Sequence, residues 1–183
     1  MTWTKLYDMM SAGKKSTLIS YLYFYEVTDM KNSSTTTIAR GYTTALLNTL
    51  NYEVTDFDGY IRATHPAEDT PDLLIYVMGR KLSKGESTPT CVTEAAVDKL
   101  LIKAQRQAGD LIPCIAFCVC RYSYTDAEVC IVPVAEIENR AEQGGVYNKI
   151  SQKYYYNFGN APQNTTPSGA IARMEFCAHL LGK

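Results

Sequence analysis

The sequence is poor in the side chains that most often hold zinc or carry out acyl transfer. It has two histidines, His65 and His179, far apart in the chain, and its six cysteines form no Cys-x-x-Cys pair. Structural zinc sites are usually built from closely spaced Cys and His ligands. A Ser-His-Asp triad needs a histidine beside an activated nucleophile. The sequence therefore predicts neither a zinc centre nor an acyl-transfer enzyme.

The chain also lacks an excess of either charge and lacks a long apolar run. Lys and Arg number 18 against 19 Asp and Glu, which gives a formal net charge of -1. A protein that grips nucleic acid over its whole surface is strongly basic, so only a local basic face is compatible with such binding. No apolar run reaches the roughly 20 residues that a membrane-spanning helix needs. No membrane association is predicted.

The cysteines are predicted to be free thiols. Cys114, Cys118 and Cys120 share one face of an extended strand, where same-strand neighbours are badly placed for a disulfide. The first residues are polar and do not resemble a secretory leader. These features favour buried thiols in a reduced, cytoplasmic protein.

The clearest structural signal is an amphipathic helix followed by a fully apolar strand. A helix is predicted over residues 91–108, with Val97, Leu100 and Ala104 on its apolar face. The next segment, Pro113 to Cys120, contains no polar side chain, so both faces of this strand must be buried. We expect it to be the central strand, with residues 127–132 pairing back to it across a short turn.

The remaining core elements alternate in type along the chain. In order, the sequence predicts a helix at 36–50, strands at 52–57, 60–63 and 72–78, the helix at 91–108, and strands at 113–120 and 127–132. Asp58-Gly59 is a hairpin turn signal. The order α-β-β-β-α-β-β predicts an α/β fold with a mixed β-sheet flanked by helices.

We expect one domain, 1–183, in which a core at 36–138 carries packed extensions at both ends, 1–30 and 146–183. Residues 18–27, within the first extension, predict a strand because they are rich in aromatic and branched side chains. Residues 135–142 predict a short helix. In the second extension, Ser168 is predicted to cap a last helix with Ile171, Met174 and Cys177 at helical spacing.

Two groups of basic residues are candidates for binding phosphate. Lys99, Lys103 and Arg106 line one face of the predicted helix at 91–108, which would be either a phosphate contact or an ordinary solvated face. Lys149 and Lys153 alternate with aromatic residues between residues 147 and 158. That segment suits either a nucleic-acid stacking surface or an edge strand whose lysines discourage aggregation.

The order of elements resembles the core of the PD-(D/E)xK nuclease superfamily, the fold of many restriction enzymes and archaeal Holliday-junction resolvases. The resemblance covers residues 36–138. It is carried by the helix end Leu47 to Val54, the dipeptide Pro71-Asp72 before an apolar strand, and the segment Lys103 to Gly109 that leads into Cys114 to Phe117. Enzymes of that family hydrolyse phosphodiesters with Mg²⁺ held by carboxylates and a lysine that places the attacking water.

The resemblance implies a site around Asp72. Asp72 would be the first Mg²⁺ ligand and Asp58 a neighbouring one. The Glu/Asp-x-Lys motif that should follow is missing, so Lys99 or Lys103 would have to supply the catalytic lysine. Lys99 and Lys103, with Arg106, Lys149 and Lys153, would contact nucleic acid.

Two functions follow from these observations. The first is nucleic-acid handling on a nuclease-like scaffold, with Mg²⁺-dependent phosphodiester hydrolysis as its catalytic form. The alternative is a non-catalytic protein that acts through a protein partner, such as a mobile-element-encoded inhibitor or accessory factor. The missing motif and the near-neutral charge favour this alternative. The sequence leaves open whether the chain is an enzyme and what its oligomeric state is, a dimer included.

Overall fold

Three helices and nine strands make up the part of the chain that the computed structural model describes, which is residues 34–82, 90–107, 109–121, 126–142, 147–156 and 166–177. The helices are α1 (Thr35–Thr49), α2 (Glu94–Gln105) and α3 (Val134–Glu142). The strands are β1 (Glu53–Phe57), β2 (Tyr60–Thr64), β3 (Leu73–Leu82), β4 (Thr90–Thr93), β5 (Ile112–Arg121), β6 (Asp126–Pro133), β7 (Tyr147–Asn148), β8 (Lys153–Tyr156) and β9 (Ala172–Cys177). The strand predicted at 18–27 lies outside these ranges.

Six strands form a mixed main sheet in the order β1-β2-β3-β5-β6-β9. Strands β3 and β5 are parallel, with Leu73 opposite Ile112, and all other neighbours are antiparallel. The predicted α/β class and the element order α-β-β-β-α-β-β are confirmed, with β4 added before α2. Strand β5 is central, and Cys114 to Cys120 are buried throughout, as expected for a strand covered on both faces.

One face of the main sheet is covered by α1. Ser34 begins this helix by accepting the Thr37 N–H at 3.3 Å. Its buried residues Ile38, Tyr42 and Leu46 pack on alternate sheet positions, because successive strand residues point to opposite faces. The sheet contributes mostly small or branched side chains here, namely Leu73, Ile75, Val77, Cys114, Ala116, Cys118, Cys120, Ala127, Val129 and Ile131.

A glycine sets how closely α1 approaches this face. Gly79 lies on β3 beneath the first turns of the helix. A methyl group at Gly79 would lie 2.7 Å from the Thr35 carbonyl oxygen and 2.8 Å from the Ala39 side chain. Only a residue without a side chain allows this contact between helix and strand.

The other face of the main sheet is covered by α2, α3 and a small sheet of order β4-β8-β7. Phe117 of β5 stacks on Tyr156 of β8, with ring centroids 5.3 Å apart and planes 3° apart. This contact ties the small sheet to the centre of the main sheet. None of the helices within the described ranges is long and apolar enough to cross a membrane.

Three predicted elements differ from the structure. The predicted C-terminal helix is wrong, because Ala172–Cys177 is strand β9 and pairs with β6. Helix α2 begins at Glu94, where the Thr93 side chain accepts the Ala96 N–H, since the preceding residues pair with β8 as β4. For residues 147–158 an edge strand was one of two interpretations, and the described part, 147–156, contains the hairpin β7–β8.

The helix error has a physical cause. The spacing of Ile171 and Met174 fits a helix, but Ala172, Met174 and Phe176 also alternate with charged residues, as in a strand. In the structure, Ala172, Met174 and Phe176 pack into the apolar core between α1 and the main sheet, and the backbone of this segment pairs with β6. Tertiary pairing therefore decides between two patterns that coexist in the same segment.

Candidate nucleic-acid interface

The α2 side of the main sheet is covered unevenly. Helix α2 packs against β3, β4 and β5. Three aromatic side chains lie on the α2 side of the first three strands of the sheet, and each is only partly buried: Phe57 on β1, Tyr60 on β2 and Tyr76 on β3. Phe57 pairs with Tyr60 across β1 and β2, and the Tyr60 and Tyr76 ring centroids are 6.0 Å apart. We call these three residues the aromatic row.

Lys103 of α2 reaches the aromatic row. Its Nζ lies 4.9 Å from the centroid of the Phe57 ring and donates to Asp58 Oδ2 at 2.5 Å. This hydrogen bond lowers the pKa of the Asp58 carboxyl. Asp58 and Gly59 form the hairpin turn with positive φ angles of 51° and 83°, as the Asp-Gly pair predicts. The basic face of α2 therefore borders the uncovered part of the sheet.

Lys99 and Arg106 are the exposed members of that basic face. With Lys103 they follow an i, i+4, i+7 spacing on one side of the helix. Neither pairs with a carboxylate anywhere in the described part of the chain. These two cations are therefore available to a polyanion, whereas Lys103 would have to exchange Asp58 for it.

Asp72 lies at the entrance to β3 and stabilises the β2–β3 connection. Its Oδ1 accepts the His65 N–H at 3.2 Å, and its Oδ2 lies 3.9 Å from the Arg62 guanidinium. Its carbonyl accepts the Ile112 N–H at 2.9 Å, which joins β3 to the start of β5. Asp72 therefore has a clear structural task in addition to any functional one.

A polar pocket of about 260 Å³ opens beside Asp72. Its charged and ionisable lining consists of Arg62, His65, Glu68, Asp72 and Asp110. Residues 109–111 form one wall and begin four residues after Gln105, the last residue of α2. The pocket and the basic face thus lie on the same side of the sheet, with Arg62 of β2 between the pocket and the aromatic row.

The wall of this pocket is held by aromatic contacts. The Tyr52 hydroxyl donates to the Pro71 carbonyl at 3.3 Å, and its ring packs edge-on against His65 with centroids 4.9 Å apart. Burial, together with the nearby Cys114 and Asp72, raises the pKa of Tyr52, so the hydroxyl stays protonated and able to donate. His65 Nδ1 accepts the Ala67 N–H at 3.1 Å. Residues 65–72 are therefore a fixed loop.

The structure does not bring Asp58 and Asp72 together. The turn at Asp58 precedes Tyr60, whereas Leu73 pairs with Ala63, so the two carboxylates lie near opposite ends of β2. Their separation along the strand is about 20 Å, from roughly six residues at about 3.3 Å each. Within the described ranges no three His, Cys, Asp or Glu side chains are grouped closely enough to hold a metal ion. The residues do not fit the implied two-carboxylate Mg²⁺ site, and the Mg²⁺ requirement stays a prediction.

The predicted basic residues are spread along the length of α2. Lys153 pairs with Thr93, and the neighbouring Gln152 carbonyl accepts the Glu94 N–H at 2.9 Å, so Lys149 and Lys153 lie near the start of α2. Arg106 lies at its end, about 18 Å away for a helix of this length. Lys99 and Lys103 lie between them.

Two features of the structure were not predicted from the sequence. One is the aromatic row, whose residues lie in ordinary amphipathic strands. The other is a buried ion pair, in which Arg173 Nε donates to Glu128 Oε1 at 2.6 Å with both side chains at most 6% exposed. A charged residue inside the apolar run Ala127–Val132 was the available signal, since a buried charge needs a partner. The pair joins β9 to β6, and a structural task accounts for it.

Comparisons of the chain with family models, with curated proteins and with solved structures find no match. Its function therefore has to be argued from the residues of this chain.

Proposed function

We propose that the protein binds nucleic acid on a nuclease-like scaffold, with the basic face of α2 on the phosphates. The supporting observation is the contact of Lys103 with Phe57 and Asp58. It brings a helix face with two exposed cations to the border of a sheet face that is only partly covered. The near-neutral net charge is compatible with this proposal because the cations are concentrated locally.

Lys103 can join this interface at low cost. The Asp58 side chain is 76% exposed and that of Lys103 26% exposed. An exposed ion pair contributes little net stability, so phosphate can replace Asp58 as the partner of the ammonium group. Binding would then depend strongly on salt, because each neutralised phosphate releases counterions.

The test is titration of labelled single-stranded and duplex DNA over a range of salt concentrations, followed by fluorescence anisotropy. Replacing Lys99 and Arg106 by Gln removes two phosphate contacts. We expect affinity to fall on the order of thirtyfold at about 0.1 M salt, and the slope of log K against log salt to become shallower by about 1.5.

Gln105→Glu is the control for the position of the charge change. It makes α2 more negative by one charge, against two in the double variant, at a position two residues from Lys103 that points elsewhere. The proposal fails if the wild-type chain binds no nucleic acid at low salt, or if the control loses as much affinity as the double variant.

Hydrolysis needs a separate experiment, because Asp72 also holds the β2–β3 connection. DNA cleavage is measured in Mg²⁺ or Mn²⁺ with the wild type and with Asp72→Asn, which keeps an oxygen for the His65 N–H. Cleavage that is lost in this variant, while folding is retained, would support a catalytic role for Asp72. Absence of cleavage, or cleavage unchanged in the variant, would oppose that role and leave the binding proposal intact.

A second candidate function, binding to a protein partner, is favoured by one exposed apolar residue. Ile150 is 97% exposed at the tip of the β7–β8 hairpin. The tip is fixed, since Asn148 Oδ1 accepts the N–H groups of Ile150 and Ser151 at 3.0 and 3.1 Å. A pull-down with wild type and Ile150→Ser tests it. Recovery of one partner by the wild type alone supports this candidate, and recovery of none opposes it.

A further inference from the structure

The three strands β1, β2 and β3 present very different side chains on their two faces. On the α1 side, Ile61, Ala63 and Ile75 are at most 1% exposed. On the α2 side, the aromatic row remains partly exposed. The three rings lie on adjacent strands about 4.8 Å apart, so the row extends about 10 Å across the sheet. A line of large, partly accessible rings on a pleated surface is a surface on which planar groups can stack.

We infer that the aromatic row is a stacking platform for the bases of single-stranded nucleic acid. This inference rests on the proposed function and names its substrate class. Unpaired bases expose their faces and stack on aromatic side chains, whereas the bases of a duplex are already stacked inside the helix. Stacking on Tyr60 and Tyr76 therefore favours single-stranded nucleic acid, whose bases are unpaired, over a duplex.

The surrounding charges indicate how the strand would lie. Lys103 flanks the row at Phe57, and Arg62, which shares β2 with Tyr60, flanks it on the pocket side. The carboxylates beside these cations, Asp58 and Asp72, are already engaged by them. Phosphates would thus follow the α2 border of the row.

The outer border of the platform is unfavourable for phosphate. Glu53 and Thr55 alternate with Val54, which packs on the α1 side, so Glu53 faces the same way as the row from β1. Its carboxylate, about 13 Å along β1 from Phe57, would repel a phosphate backbone that runs the length of β1. The backbone consequently lies beside α2, and the bases turn toward the rings of Tyr60 and Tyr76.

The test compares Tyr60→Leu and Tyr76→Leu with Tyr60→Phe and Tyr76→Phe. Leucine keeps an apolar side chain but removes the ring, whereas phenylalanine keeps the ring. For a single-stranded pyrimidine oligonucleotide, we expect each leucine variant to bind about fivefold or more weakly, and the phenylalanine variants to bind like the wild type. Affinity for a blunt duplex should be unchanged in all four. Circular dichroism and thermal melting check the fold of each variant.

Tyr154→Leu is the control. Tyr154 is a partly exposed tyrosine of the small sheet, and it lies in the segment 147–158, where lysines alternate with aromatic residues. Loss of single-strand binding in this variant, but not in the row variants, would move stacking to the β7–β8 hairpin and overturn the inference. Equal weakening of single-strand and duplex binding in the row variants would also overturn it.

Two further outcomes separate this inference from the proposed function. If the variant of Lys99 and Arg106 loses binding while the row variants bind normally, the protein binds phosphates without base stacking, and only the inference fails. If the leucine variants unfold while the phenylalanine variants fold, the row is internal packing covered by another part of the chain, and the inference again fails. If the wild-type chain binds no nucleic acid, both fail.

Discussion

The two faces of the main sheet are packed by different kinds of side chain. The face toward α1 is lined by small and branched residues, among them Cys118 and Ala116, and the helix approaches it so closely that Gly79 can carry no side chain. The face toward α2 carries larger rings, a buried ion pair and an aromatic row that none of the three described helices fully covers. Close packing makes the first face a scaffold. The proposed interface depends on the incomplete cover of the second face by the described elements.

The thiols of Cys114 and Cys118 on the α1 side belong to the scaffold. Burial raises the pKa of Cys114, and a hydrogen bond with Cys120 raises the pKa of Cys118. A protonated, buried thiol behaves as a small apolar group and not as a nucleophile. Substitutions that disturb one face at a time test how each face contributes to stability and to binding.

The largest expected effect is on the α2 side, at the buried pair of Glu128 and Arg173. Arg173→Met leaves the Glu128 carboxylate buried beside an apolar side chain. We expect a loss of about 3–5 kcal/mol in the free energy of unfolding, measured by urea denaturation. Replacing both residues, Arg173→Met with Glu128→Leu, should recover most of that loss because no charge is then buried. Equal stability of the single variant and the wild type would contradict a structural task for the pair.

A smaller effect is expected on the α1 side from Gly79→Ala. The new methyl group would meet the Thr35 carbonyl, which is backbone and cannot rotate away. Overpacking of this kind costs about 1–3 kcal/mol, so the urea midpoint should fall with an unchanged slope. Nucleic-acid binding should be unaffected in the folded variant, because the change lies on the scaffold face. A variant as stable as the wild type would show that α1 can move outward freely.

Much of the scaffold could be predicted from local patterns. The absence of polar residues from Pro113 to Cys120 identified the central strand, and Asp58-Gly59 identified the hairpin, because both signals depend on neighbouring residues alone. The last strand could not be found in this way. Its apolar residues fit both a helix and a strand, and only pairing with β6 decides between them.

The candidate site was less predictable because it depends on contacts between distant segments. The basic spacing of α2 was visible, but the contact of Lys103 with Phe57 joins residues 46 positions apart. The neighbouring position of Tyr60 and Tyr76 depends on the register between β2 and β3, which the loop at 65–72 sets. Asp58 and Asp72 are only 14 positions apart in the sequence, but they lie near opposite ends of β2 in the structure.

The third prediction concerns Asp72, at the edge of the α2-side pocket. Asp72→Ala removes the acceptor of the His65 N–H and should cost about 1 kcal/mol in the free energy of unfolding. Asp72→Asn keeps an amide oxygen in the same place and should cost less than half of that, about 0.5 kcal/mol at most. Urea denaturation of the two variants checks the difference. If both lose the same stability, the charge beside Arg62, and not the hydrogen bond, is the important interaction.

The smallest effect is expected from Asp58→Asn, at the exposed pair beside the aromatic row. Asparagine tolerates the positive φ of this turn, so the hairpin should persist. The Lys103 hydrogen bond lowers the pKa of Asp58, so its contribution to stability is present above the unfolded-state pKa of 3.8 and is lost as pH falls through the lower folded-state pKa. Unfolding curves of wild type and variant should therefore differ slightly at neutral pH and converge in acid. A difference that grows in acid would mean that Lys103 does not stabilise the Asp58 carboxylate, and the contact of its ammonium group with the Phe57 ring would then be the remaining charged attachment of Lys103 to the hairpin.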